Sequence, residues 1–391
     1  MLSLALFFRN QKKQHDLQKV LTQREIKDMN LLTLIFILLL STLHAESPRD
    51  SALKLARNFQ ATHSAKSLKW DWAPAVYLYG ATKYPELKTY LSDYHKRWIN
   101  RVPAINRSDR CPPALSALHL AQTGQLEEAW SSMEKVGHYL RFEPRNRLGT
   151  IDHLGHSWFS WFYPSSIWVD SLMMYAVLAT QWGAAINDES MIEFGSGQPL
   201  LFASVLQDQE SGAFWHAYNF RNGRTIPYGK SFWLRGNGWV VTSIAEILEV
   251  LKDKDKFAGR RRELTKVLVK LSEGLLKFQK TNGAWETVLN RPGYSYDETS
   301  GSLLIGYGLA KAYRLGFLPH KYLVSARKAF AYAQTQLSPT RHGVTLRSVS
   351  GPTNPGPGWY YKAVRKKKDL PYGVGAFLLL AHELHLIDSE E

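Results

Sequence analysis

The chain is poor in cysteine. Its single cysteine, Cys111, excludes an intrachain disulfide and a cysteine-rich metal site. Strict apolar/polar alternation is nearly absent, which argues against a β-rich fold. No apolar run is long enough for a comfortable membrane span; the best, residues 31–40, falls short. His153 and His156 flank Gly155, but no third ligand stands at a metal-binding spacing, so neither a metal nor another cofactor is expected. Negative charge is scarce as well: 34 Asp and Glu against 49 Lys and Arg give a net charge of +15. Such a balance suits a polyanionic partner. The dense runs Arg260-Arg261-Arg262 and Arg365-Lys366-Lys367-Lys368 come without a nucleic-acid motif. They read as solvated faces, and no nucleic-acid partner is expected.

What is present is globular composition, 45% hydrophobic with 13% aromatic residues, enough for a large core. The basic residues before position 31, the apolar run and the small residues ending at Ala45 resemble a leader cleaved after Ala45. Residues 1–45 are therefore expected to be removed, with export to the periplasm or medium, or an N-terminal anchor if uncleaved. Met29 is an alternative start. Residues 46–391 are expected to form one domain without a further membrane span.

Apolar residues recur at helical spacing along that domain, as in Leu264, Val267, Leu268, Leu271 and Leu275. Twelve helices are expected, near 49–62, 72–82, 86–101, 111–122, 125–140, 166–182, 187–206, 232–250, 259–280, 298–315, 320–337 and 372–387. Gly212-Ala213-Phe214-Trp215-His216 and Gly283-Ala284-Trp285-Glu286 echo one another after a helix and a polar turn. Twelve helices with a hairpin echo predict an all-α (α/α)6 barrel, six helical hairpins in a closed toroid, with sites on the loops at one mouth. The long irregular stretch 338–371 reads as a lid or cleft wall.

Several residues are candidates for chemistry. Trp233-Leu234-Arg235-Gly236-Asn237-Gly238-Trp239 sets an arginine fork between two indoles. The fork matches a carboxylate, the indoles cover apolar sugar faces, and the glycines allow close backbone approach. Asp170 follows Ile167-Trp168-Val169 and is expected about one turn into a helix. Loss of hydration there would raise its pKa, as a general acid requires. Asp109 precedes a helix and reads as an N-cap; near Asp170 it would push one of the two pKa values up. His216 could donate to a sugar hydroxyl or to a carboxylate. Trp72, in Trp70-Asp71-Trp72, is a stacking candidate.

In this order the segments resemble the unsaturated glucuronyl and galacturonyl hydrolases, glycoside hydrolase families 88 and 105, and 105 more closely. The resemblance runs from about Trp70 to His385, through Trp168-Val169-Asp170, Trp215-His216, the Trp233–Trp239 signature, Tyr296-Asp297-Glu298-Thr299-Ser300-Gly301-Ser302 and Gly373-Val374-Gly375-Ala376-Phe377. It departs at Ala114, where relatives carry glycine, and at Ser165-Ser166, where they carry bulkier residues. The resemblance implies a substrate that is an oligosaccharide ending in a 4,5-unsaturated uronic acid. Asp170 would protonate C4 and then act as base toward water. Asp109 would tune Asp170, Arg235 would hold the uronate carboxylate, Trp233, Trp239 and Trp72 would wall the ring, and His216 would position a hydroxyl or water. Rival readings are a polysaccharide lyase or sugar epimerase on the same fold, or a non-catalytic carbohydrate-binding protein.

Overall fold

The computed structural model describes residues 46–390; the expected leader lies outside them. Thirteen α-helices are found among the described residues. Six odd-numbered helices form an outer layer: α1 Pro48–Thr62, α3 Lys88–Trp98, α5 Trp130–Phe142, α7 Glu189–Leu206, α9 Ala258–Phe278 and α11 Lys321–Thr335. The inner layer is α2 Trp72–Ala81, α4 Pro113–Gln122, α6 Val177–Ala185, α8 Leu234–Leu251, α10 Thr299–Arg314 and α13 Pro371–Glu390. A short α12, Gly358–Ala363, lies in the last connection.

Sequence decides which layer each helix joins. On α8 every residue from Leu234 to Leu248 is buried, and on α2 every residue from Pro74 to Ala81; helices apolar around most of their circumference belong inside. On α9 burial is mainly a stripe through Leu264, Leu268, Leu271 and Leu275, so its other face meets water. Each inner helix packs on the next, α2 on α4, α4 on α6, α6 on α8, α8 on α10, α10 on α13, and α13 returns to α2. That last crossing is close. A Cβ added at Gly80 would stand 2.7 Å from the Gly375 carbonyl oxygen, and one at Gly375 would stand 2.3 Å from that of Val76.

The hairpin echo has a structural meaning. Gly212 and Gly283 both have positive φ and press against the backbone of an outer helix, at Lys270 on α9 and at Lys328 on α11. All twelve expected helices are present, with two altered starts: α5 begins at Trp130, after a 3-10 turn at Glu127–Ala129, and the helix expected from residue 166 begins later. Residues 166–168 are not helical: Ser166–Trp168 is strand β1 of an antiparallel sheet with β2 (Ala217–Asn219) and β3 (Arg224–Ile226). Isolated three-residue strands leave no alternation to read in a sequence. Residues 338–371 are likewise not structureless. They hold the hairpin β4 (Leu337–Thr340) with β5 (Gly343–Leu346), the pair β6 (Val349–Ser350) with β7 (Lys366–Lys367), and α12.

The inner helices gather their N-termini at one mouth. Asp71 caps α2, its carboxylate accepting from the Trp72 amide. Glu298 caps α10, accepting from the Ser300 and Gly301 amides, and also binds the Ser350 amide at 2.8 Å. Away from these N-termini, in the second halves of α8 and α10, the interior holds a buried charge network. Glu246 accepts from Tyr79 (2.7 Å) and Gln181 (3.1 Å). Lys311 lies 2.7 Å from Glu249 and 3.5 Å from Glu246, and Arg314 pairs with Glu249 and Glu383.

Candidate active site

Asp170 stands at the junction where β1 turns into a single π-helical turn, Leu172–Ala176, that leads into α6. Its carbonyl accepts from both Met173 and Met174 amides at 2.9 Å, the kind of local irregularity often found at functional positions. It is thus at the helix entrance rather than a turn inside. Strand pairing delivers its partner. Trp168 is opposite Ala217, and the Val169 amide donates to the His216 carbonyl at 2.9 Å, so the two side chains emerge together. His216 Nε2 is 3.1 Å from Asp170 Oδ2, and His216 Nδ1 is 3.0 Å from the Tyr361 hydroxyl. The Gly356 amide donates to that hydroxyl at 3.3 Å. The hydroxyl hydrogen is then free to go to Nδ1, which leaves the imidazole proton on Nε2, pointing at the carboxylate.

The charge state differs from the sequence expectation. Burial pushes the Asp170 carboxyl up, but the hydrogen bond from His216, with further electrostatic stabilisation from His216, His153 and Arg235, outweighs it and holds the group below its ordinary value. Burial also pushes His216 down, against the opposing pull of Asp170. At neutral pH the pair is a carboxylate accepting from a neutral imidazole. The raised Asp170 pKa expected from its apolar neighbours is corrected accordingly: those neighbours flank it in sequence, while His216 faces its Oδ2. The side chain keeps 15% of its surface exposed, enough to meet a ligand.

Asp109 does not cap α4, whose N-cap position is Pro112. It lies on the 3-10 turn Ser108–Arg110, 3.3 Å from His153 Nε2 and 3.4 Å from Arg107 Nε. His153 joins the two acidic centres: its Nδ1 lies 2.8 Å from the hydroxyl of Ser171, the residue after Asp170, and its ring stacks on Trp168 at 4.1 Å. The carboxyl that Asp109 pushes up belongs to Asp71, raised first by burial and then by the Asp109 charge, with Arg107 in opposition. Arg107 Nη2 is 2.8 Å from Asp71 Oδ2.

The tryptophan-arginine signature works differently from its sequence reading. Trp233, Arg235 and Trp239 are each only 1% exposed. The Arg235 fork is occupied: Nη1 donates to Ser350 at both its carbonyl (3.1 Å) and its hydroxyl, and Nη2 donates to the Gly351 carbonyl (2.9 Å) and the Thr353 hydroxyl (3.1 Å). Its guanidinium lies between the Trp233 and Tyr372 rings, 4.8 Å from each. Arg235 therefore holds the 350–353 segment, and its fork is not open to a uronate. Asn237 accepts from the Phe214 amide (2.7 Å) and donates to the Phe214 carbonyl (3.0 Å), fixing the backbone two residues before His216. Gly236 and Gly238 approach Val169, Trp233 and Leu304, protein rather than open space. Trp239 is core. Trp233 packs against both His216 (4.2 Å) and Tyr361 (6.0 Å) and supports that pair. Trp72 is half-buried and stacks on Tyr372 at 4.8 Å, leaving it suited to face a ring.

His153, Arg107 and Tyr361 were not among the sequence candidates. His153 was weighed only as a metal ligand. Tyr361 stands 145 residues from its partner, so no local signal marks it. A polar cavity of about 650 Å³ bordered by Lys280, Tyr296, Tyr332 and Lys366 contains none of these groups. That cavity is therefore separate from the carboxylate–imidazole pair. Among the described residues no cluster of His, Cys, Asp and Glu has metal-binding geometry, and no helix is long and apolar enough to cross a membrane.

The model of glycosyl hydrolase family 88 matches residues 49–387. The chain belongs to that family. The family 88 domain is 26% identical over 263 residues to the unsaturated rhamnogalacturonyl hydrolase YesR of Bacillus subtilis, covering 63% of this chain and 72% of that protein. It is 29% identical over 219 residues to an unsaturated 3S-rhamnoglycuronyl hydrolase of Alteromonas sp., covering 56% of this chain and 50% of that protein. Its fold matches a solved structure from Salmonella enterica, described as a possible member of the GH105 family, with TM-score 0.77 and 22% identity over 88% of this chain and 96% of that one. This family 88 chain is a glycoside hydrolase with the helical-barrel architecture expected from its sequence.

Proposed function

We propose that this glycoside hydrolase acts on oligosaccharides ending in a 4,5-unsaturated uronic acid, by adding water across the C4=C5 enol ether. The observation that carries the reading is the chain from Tyr361 through His216 to a partly exposed Asp170, with Asp109 and His153 beside it. One proton taken up by the Asp170–His216 pair makes it an acid. Asp170 passes that proton to C4, and positive charge develops at C5 and on the ring oxygen. Water adds to C5 and returns a proton to the Asp170 carboxylate, so the site ends as it began. The hemiketal opens, the glycosidic bond breaks, and an open-chain keto acid leaves with the free second sugar. Attack is at C5, so carboxylate separation does not dictate anomeric stereochemistry.

Within this scheme Asp109 and His153 orient the water or a ring hydroxyl, and Trp72 offers a ring face. Arg235 acts at one remove, by holding the segment beside it. The YesR name and the rhamnoglycuronyl name favour rhamnose as the second sugar. Export of the chain, expected from residues 1–45, remains part of this reading. The test is the ultraviolet absorbance of the double bond, followed with unsaturated disaccharides from rhamnogalacturonan, ulvan, pectin and glycosaminoglycans. The absorbance should fall with at least one of them. Asp170→Asn should fold normally and lose about 10²–10⁴-fold in kcat; near-normal turnover would remove Asp170 from the reaction.

A further inference from the structure

The connection between α5 and β1 carries four aromatic side chains on and just after the 3-10 turn Trp158–Trp161. Trp161 is 86% exposed, Phe162 74%, Trp158 61% and Phe159 38%. So large an apolar display on one short turn adds nothing to the core and is costly in water unless it meets something. Three of the four rings are ordered against each other: Trp158 stacks on Phe159 at 3.9 Å and meets Phe162 edge-on at 5.8 Å. They form a slab before any ligand arrives.

Two side-chain routes join this slab to the catalytic residues. The Arg107 guanidinium lies over the Phe159 ring at 5.6 Å and reaches Asp71 and Asp109. Tyr163, next in the chain, meets the Trp168 ring at 5.9 Å, which stacks on His153. The neighbouring hairpin of β2 and β3 is tied to this connection by the Phe220 amide, which donates to the Ser165 carbonyl at 2.9 Å. There Arg147 covers Phe220 (5.5 Å) and Arg224 approaches the exposed ring of Tyr228 (6.0 Å). Aromatic faces beside guanidinium groups match sugars that bear carboxylates: ring faces stack on the former and carboxylates meet the latter. The hollow beneath the turn, about 240 Å³, falls short of the roughly 300–1,000 Å³ of enclosed ligand sites. The exposed slab, not the hollow, is the binding face.

We propose that the Trp158–Trp161 turn with Phe162 is a stacking platform for the sugars beyond the cleaved bond of an acidic oligosaccharide. It sets the preference of this enzyme for longer substrates. The inference rests on the unsaturated-uronyl reading above, and the test separates the two. Trp161→Ala and Phe162→Ala, singly and together, leave Arg107 and Phe159 in place. They are compared with the unaltered protein on an unsaturated uronyl methyl glycoside and on an unsaturated tetrasaccharide from a lyase digest. The double variant should keep kcat/KM on the methyl glycoside and raise KM for the tetrasaccharide about tenfold, as truncated aromatic anchors do. An unchanged tetrasaccharide KM overturns the platform while leaving the chemistry intact. If the unaltered protein turns over neither compound, the chemical reading fails. Quenching of tryptophan fluorescence by the tetrasaccharide then decides the platform alone: quenching lost in the double variant keeps it, and no quenching in the unaltered protein sinks it. Self-association or binding to anionic vesicles that disappears in the double variant, without an effect on the tetrasaccharide, also overturns it.

Discussion

Asp170 can donate a proton only after its pair with His216 has taken one up, and its environment holds that proton weakly. Activity should therefore rise as pH falls from neutrality, until the pair is filled. The sign for His216→Ala follows from the same balance. Removal takes away the hydrogen-bond donor to the carboxylate but leaves most of the burial. The Asp170 carboxyl then moves up, and the alkaline fall of kcat/KM should shift to higher pH while the maximum drops. A fall left at its original pH would show that another group carries the proton. At this scale the sequence was informative about residue identity: Asp170 and His216 stood out as isolated polar groups among aromatics. It pointed the wrong way on charge state, because the groups that lower the Asp170 pKa come from positions 153, 216 and 235 rather than from its apolar neighbours. Asp109 was singled out for a cap and instead serves an ion-paired cluster with Arg107 and His153.

Elements explain why the signature around Arg235 was legible as important yet misread in role. The start of α8 is a clamp. Arg235 grips residues 350–353, Asn237 grips residue 214, and both segments lead to the Tyr361–His216–Asp170 chain. Lysine in place of Arg235 cannot span the Ser350 and Gly351 carbonyls with one ammonium. Arg235→Lys should cost about 2–4 kcal/mol of stability, the scale of breaking a buried hydrogen-bonded charge. It should also lower kcat as Tyr361 loses its seat. Thermal denaturation together with steady-state kinetics checks this; an unchanged melting temperature with only KM raised would instead place the guanidinium on the ligand. Outer helices such as α9 were readable from an apolar stripe, and inner ones such as α2 and α8 from apolar residues around most of the helix. Strand β1 and the pairing inside 338–371 were not, because strands of two to four residues contain no period.

The whole ring depends on a buried set of charges remote from the site. Burial pushes the Glu249 carboxyl up, but Lys311 and Arg314 outweigh this and bring it down to about 2, from an ordinary 4.5. A depressed carboxyl contributes stability that is present above its unfolded value and lost as pH falls through the folded one. The melting temperature should drop between about pH 4.5 and 2. Glu249→Gln should be less stable at pH 7 and show a smaller drop in that window; equal drops in both proteins would assign acid sensitivity to other groups. The toroid itself was legible from helix count and the Gly212–Gly283 echo. The closing meeting of α13 with α2 was part of that expectation, while the close crossing at Gly80 and Gly375 was not.

That meeting orders events during synthesis. A nascent chain lacking the residues from 371 onward is an open arc, with the apolar flank of α2 bare and no Tyr372 ring beside Arg235. Exposed apolar surface of that kind makes incomplete chains prone to aggregate. A stop codon late in the message would therefore spoil far more than a tail, because the final helix is the keystone that lets the first hairpin find its neighbour.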